Sequence, residues 1–297
     1  VATAAIGSAA HAKENFLRKY KTELICAGVA AGITALFSSP LAGLLFAYEV
    51  IFKKLSKTFL ATATISVAVA SALLLVLEEK PLFEVAIPEW HYRAIPYFIL
   101  LGTMAGLNSI YLTKCVLFIK KRFSAIKVSF HKVVLGAAIL TVSLFFLPQL
   151  YGDGYHAIRD SFLSAGTDTL TVSMTLTILA ILVMKPIITS VTLSSGGDGG
   201  VFAPSLFIGG FLGLWTALFA NAFFNAGVIP VNFMVAGMAA MLSASIHAPF
   251  TAVFLVCGVV NDYALFFPIL LVCLVSKYTA QKIYPYTVYS YNENLVK

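Results

Sequence analysis

Residues Ser194 to Gly213 read SSGGDGGVFAPSLFIGGFLG, a glycine-rich turn that runs through Pro204 into an apolar segment. Glycine allows the turn, and proline suits the first turn of a helix. A helix start leaves backbone N–H groups without intrahelical partners and carries the positive end of the macrodipole. Such amides suit an anion that has shed its water. From Gly199 to Asn261 there is no Lys, Arg, Asp or Glu, so no fixed side-chain charge would hold the anion there. The pattern predicts a membrane-embedded anion site made of backbone.

The elements that must position this turn are membrane helices. Apolar residues make up 60% of the chain and charged residues 11%, with a mean hydropathy of +0.91, which excludes a soluble domain of this length. Uncharged runs at Thr58 to Leu77, Ala94 to Thr113 and Val133 to Gly152 are long enough to span a bilayer as helices. The two-residue alternation of a barrel is absent. Between Gly199 and Asn261, Pro204, Pro230 and Pro249 divide the apolar run into several broken helices. Net charge is +7, but the basic residues cluster at the ends of apolar runs, at Lys13 to Lys21, Lys53 to Lys57 and Lys114 to Lys132. They are read as cytoplasmic loops, not as a nucleic-acid surface. Glu78 to Glu89 and Asp153 to Asp168 form acid-rich connections. Cys26, Cys115, Cys257 and Cys273 show no CxxC spacing and are expected to be buried free thiols. No HExxH, P-loop or GxSxG motif is present, so neither an enzyme nor a cofactor is expected.

Aligning Pro40 with Pro249 superposes GVAAGITALFSSP on GMAAMLSASIHAP, with five identities in thirteen positions. A short uncharged segment follows each. Proline-interrupted segments at matching places in two halves point to an internally repeated transporter with its site at broken helices. On this reading residues 1–88 are the remainder of a first repeat and 89–297 hold the second repeat and the C-terminal tail. The symmetry also implies that about 120 residues of the first repeat lie upstream of Val1.

GGVFAPSLFIGGFLG at Gly199, SSPLAGLLFAYEV at Ser38 and IHAPFTAVFLV at Ile246 resemble the membrane domain of CLC chloride channels and chloride/proton antiporters, in order and in separation. The resemblance implies an all-α, polytopic fold of inverted repeats with broken or re-entrant helices, a homodimer in the lipid bilayer, and one chloride pathway per subunit. It places chloride against the backbone N–H groups of Val201 and Phe202, shaped by Gly199, Gly200 and Pro204. Tyr289 in PYTVYSY is the best match for the family's anion-contacting tyrosine, with Tyr286 and Tyr291 as competitors. Asp198 stands where a small or neutral residue is expected, and its charge opposes anion entry unless it points away. The GSGIP-like half-helix and the gating glutamate would precede Val1, with VATAAIGSAA matching the stretch just after that glutamate.

The resemblance also puts Val50 at the position of the antiporters' internal proton glutamate, with Glu49 one residue too early. Valine carries no proton, so channel-like, voltage-gated chloride conduction is expected, with chloride/proton antiport as the alternative. Glu49 is either a displaced proton carrier or a structural acid paired with Lys53 or Lys54. His247 and Asp262 read as helix caps. A second alternative is a truncated, non-conducting membrane subunit. With sixteen residues after Gln281, no CBS domains are expected, and a bacterial-type plasma membrane is the expected location.

Overall fold

The computed structural model describes residues 20–53, 56–78, 81–83, 85–165 and 170–291. The VATAAIGSAA segment, the helix expected up to Phe16, and Lys54 lie outside them. The described residues form eleven α-helices and no strand. Six helices are long and apolar enough to cross a membrane, and the protein is an integral membrane protein. Backbone contacts divide the chain into two compact units, one of residues 1–86 and 248–266, the other of 87–247 and 267–297. The first therefore includes a segment far along the sequence that the division at residue 88 assigns to the second repeat.

In the first unit, α1 (Lys21–Phe37) packs on α3 (Lys57–Val76), and the Ser66 hydroxyl donates to the Ala27 carbonyl at 2.8 Å. Small residues make this approach possible: the shared core is Cys26, Ala30, Ala47, Ala63 and Val67 around Phe59. Between them lie α2 (Pro40–Phe46) and a π-helical turn, Ala47–Phe52. Helix α10 (Pro249–Val260) joins this unit, with the Ser39 hydroxyl donating to the Phe254 carbonyl at 2.8 Å.

The second unit holds α4 (Ile95–Ser124), α5 (Ser129–Phe146), α6 (Tyr155–Ser164), α7 (Val172–Ser194), α8 (Phe202–Phe224), α9 (Pro230–Ile246) and most of α11 (Phe266–Ile283). Helix α5 ends at Phe146, ahead of Pro148, because the residue before a proline is pushed out of helical geometry. Helices α8 and α9 meet backbone to backbone. A Cβ on Gly209 would strike the Gly237 carbonyl, and one on Gly213 the Phe233 carbonyl. Serines tie α9 to α11: Ser243 donates to the Cys273 carbonyl and Ser276 to the Ala240 carbonyl, each at 2.8 Å.

The sequence repeat has a backbone counterpart. Helices α1 and α9 are each 17 residues long. Each ends on a left-handed residue, Ser38 at φ 50° and His247 at φ 57°, and each is followed by a helix with proline in its first turn. Those two segments also end alike, at Lys53 with φ 53° and Asn261 with φ 52°. His247 is thus a cap through its backbone. Asp262 is not an N-cap, because α11 begins only at Phe266. Its carboxylate instead accepts from the Ala264 N–H at 2.7 Å, in a local turn.

Overpacking a core costs about 1–3 kcal/mol. Gly213→Val is expected to lower the thermal midpoint of the detergent-solubilised protein clearly. Gly210→Ala, whose new Cβ would lie 3.5 Å from Met238 Cγ, should leave it near the wild-type value. Equal midpoints for both variants would show that the α8–α9 contact is looser than described.

Candidate anion site

The turn between α7 and α8 is built to present a bare helix start. Helix α7 ends at Ser194, Gly196 adopts φ 99°, and the Gly197 N–H donates back to the Thr192 carbonyl at 2.9 Å. A side chain at Gly196 would be strained. Val201 is the N-cap of α8 and is buried, and its carbonyl accepts from the Ser205 N–H at 3.0 Å to close the first turn. No side chain caps this helix. Pro204 has no N–H to leave unpaired, so the electropositive end is made by the amides ahead of it.

Val201, Gly199 and Gly200 line a cavity of about 230 Å³ together with Ser194, Lys120 and Tyr289. A Cβ on Gly200 would sit 3.5 Å from the Tyr289 hydroxyl oxygen, so glycine leaves room between turn and phenol. Thr287 fixes the tyrosine's backbone: its hydroxyl oxygen accepts from the N–H groups of Tyr289 at 3.2 Å and Ser290 at 3.1 Å. Tyr289 as a whole is 53% exposed, while its hydroxyl faces Gly200 across the cavity. Burial pushes the phenol's pKa above the ordinary tyrosine value, against a smaller lowering from a hydrogen bond with the Val201 backbone. The phenol therefore keeps its proton at neutral pH. Tyr286 instead packs edge-on against Tyr284 and Tyr291, with ring centroids 5.6 and 5.9 Å away. Of the three tyrosines weighed as candidates, Tyr289 is the one brought to the turn.

The structure does not bring every expected residue to this cavity. Phe202 opens α8 but is not part of the cavity wall. Pro204 lines a second cavity, about 410 Å³, with Asp198, Asp153 and Lys185. Gly199 and Gly200 border both cavities. Asp198 is exposed, and its carboxylate accepts from the Gly199 N–H at 3.1 Å. It lines the second cavity and not the one that holds Tyr289.

Three polar side chains at these cavities escape the motif reading. Lys185 is buried inside α7, donates to the carbonyls of Leu150 at 3.1 Å and Gly152 at 3.0 Å, and stands 4.5 Å above the Phe207 ring. Its signal in the sequence is a lone charge within an apolar span, which marks a functional position in membranes. Ser194 presents a buried hydroxyl oxygen with no hydrogen-bond partner, and Lys120 is the cation on the wall of the Tyr289 cavity. Neither Ser194 nor Lys120 belongs to a recognisable motif, so only the fold shows that they meet the turn. Among the described residues no group of three or more His, Cys, Asp or Glu is arranged to hold a metal.

In the first unit, Val50 and Glu49 lie on the π-helical turn. The Glu49 carboxylate accepts from the Thr251 N–H at 2.8 Å and the Thr251 hydroxyl at 2.7 Å. Thr251 is in the first turn of α10, so a negative charge sits at that helix's positive end. Glu49 is thus hydrogen-bonded to Thr251, where Lys53 or Lys54 was the expected partner. The helical turn ends at Phe52, and Lys53 turns left-handed into an exposed position.

A family profile described as voltage gated chloride channel matches residues 2–281. A putative chloride channel protein ClcB-like from Ralstonia nicotianae is 28% identical over 86% of this chain and 59% of its own length. An H(+)/Cl(-) exchange transporter ClcA from Vibrio parahaemolyticus is 26% identical over 90% of this chain and 58% of its own. The chain thus spans somewhat under two thirds of these relatives. Among solved structures, a slow cyanobacterial Cl-/H+ antiporter superposes with a TM-score of 0.80 at 22% identity, covering 97% of this chain and 68% of the other. That likeness establishes the all-helical fold.

Losing the two hydrogen bonds of Glu49 should cost about 1–3 kcal/mol. Glu49→Ala, which removes both bonds, is expected to lower the thermal midpoint most, Thr251→Ala, which keeps the backbone donor, to lower it less, and the double variant to fall little below Glu49→Ala alone. Additive losses would place the two residues in separate interactions.

Proposed function

The chain belongs to the voltage gated chloride channel family, and on that premise we propose that it forms part of a chloride pathway centred on the turn before α8. The observation that carries this reading is the meeting of Val201 and the protonated Tyr289 hydroxyl at one cavity with no carboxylate on its wall. In the proposed mechanism chloride takes over the Val201 N–H that faces the Tyr289 hydroxyl, and this amide, the Phe202 N–H and the Tyr289 O–H replace part of the ion's hydration shell. All three donors are neutral. Each gives attraction without a fixed opposite charge. Lys120 is the cation on the cavity wall, and the three donors by themselves hold the ion weakly enough for it to leave. Gly199 and Gly200 let it approach the backbone closely.

Val50 has no proton to give and Glu49 is committed to Thr251, which favours passive or weakly coupled conduction. Chloride/proton exchange is the second reading. It is supported by the named exchange transporter among the relatives and by Glu49 as the carboxylate adjoining the proton position. A homodimer in a bacterial-type plasma membrane accompanies either reading, in keeping with the bacterial relatives.

The test reconstitutes the full-length natural protein in vesicles and follows chloride efflux and pH together. Chloride efflux above that of empty vesicles, without uphill proton movement, is expected. Chloride-driven proton pumping would establish the exchanger, and efflux no faster than in empty vesicles would leave a non-conducting subunit. A hydrogen bond to a charged species is worth about 1.5–3 kcal/mol, so Tyr289→Phe should weaken chloride binding measured by calorimetry by about 10- to 100-fold. Tyr286→Phe should leave it unchanged.

A further inference from the structure

A third cavity, about 420 Å³, lies away from the turn, where α4 and α9 begin. Its floor is the stacked pair Phe98 and Phe233, with ring centroids 4.4 Å apart and planes 11° from parallel. One wall is the consecutive run Trp90, His91, Tyr92 and Arg93. The opposite wall is the connection through Gly227 and Val228. Asn221 clamps it with both ends of its amide, accepting from the Val228 N–H and donating to the Val228 carbonyl, each at 2.8 Å. The cavity is therefore held in shape by the protein.

Its polar groups define what it would take. Asn232 is 2% exposed, and its amide N–H donates to the Pro88 carbonyl at 3.1 Å. Its side-chain oxygen is buried without a hydrogen-bond partner. A buried acceptor left without a donor is costly, and an occupant bearing a hydroxyl would satisfy it. Arg93 adds a fixed positive charge, and neither α4 nor α9 has a side-chain cap at its start, so the electrostatics favour an anion. Glu89 is exposed next to Trp90 but is not on the wall. Tryptophan and tyrosine beside the start of a membrane helix mark the level of lipid headgroups. The volume falls within the range of small-ligand sites.

We propose that this cavity binds the headgroup of a glycerophospholipid that carries both an acidic phosphate and a free hydroxyl, the chemistry of phosphatidylglycerol. Arg93 pairs with the phosphate, a headgroup hydroxyl donates to the Asn232 oxygen, and the aromatic residues cover the glycerol backbone. The site stands independently of the chloride pathway.

The experiment measures the thermal midpoint of the full-length natural protein in neutral detergent, with phosphatidylglycerol, phosphatidylcholine, phosphatidic acid or free glycerol 3-phosphate added. Retained lipid is counted by native mass spectrometry. Phosphatidylglycerol should raise the midpoint most and remain bound. Arg93→Gln should at least halve that rise, and Asn232→Leu should remove the advantage over phosphatidic acid while leaving the lipid-free midpoint equal or higher. Should Asn232→Leu fail to fold, Arg93→Gln alone decides, since Arg93 lies at an exposed rim. Equal effects of phosphatidylglycerol and phosphatidylcholine, or an undiminished rise in Arg93→Gln, would overturn the proposal. A rise from glycerol 3-phosphate equal to that from the lipid would overturn the membrane origin of the ligand.

Discussion

The second unit depends on one contact: α8 and α9 touching through glycine. Gly209, Gly213 and Gly237 let carbonyl and backbone approach where a methyl group would not fit. Lipid tails offer no hydrophobic drive for helices to associate, so close packing of this kind supplies much of the cohesion. Because α9 is buried along nearly its whole length and α8 from Ser205 onward along most of it, the helix that follows the exposed turn runs into packed protein. The glycines far from the turn therefore fix the helix that begins there.

Helix existence and the broken character of residues 199–261 were legible because hydropathy and proline act locally. The same holds for the twin segments before Pro40 and Pro249, whose left-handed caps at Ser38 and His247 repeat. The site was only half legible. Val201, Gly199 and Gly200 come from one motif, and Tyr289 was singled out by the resemblance ahead of Tyr286 and Tyr291. Lys120, Ser194 and Lys185 reach the cavities through tertiary packing that no local pattern encodes. The partner of Glu49 was hidden for the same reason, since Thr251 lies 202 residues further along.

Charge is handled sparingly throughout. Lys185 is neutralised by two peptide carbonyls and an aromatic face, and Glu49 by the start of a helix. In both cases backbone groups supply direct hydrogen bonds to the ion, and Asp153 shares a cavity with Lys185 as the nearby opposite charge. Direct hydrogen bonds of this kind lower the desolvation cost of an intramembrane ion.

The π-helical turn at Ala47–Phe52 gives this region an unusual evolutionary freedom. A π-turn holds one residue more than an α-helical turn, and here it closes the segment that α2 opens, ending at the left-handed Lys53. Loss of a single codon there would restore α-helical spacing and rotate the side chains beyond it by about 100° around the axis, while α2 kept its place. The residue presented at the place of Val50 can thus be exchanged by a change in length as well as by substitution.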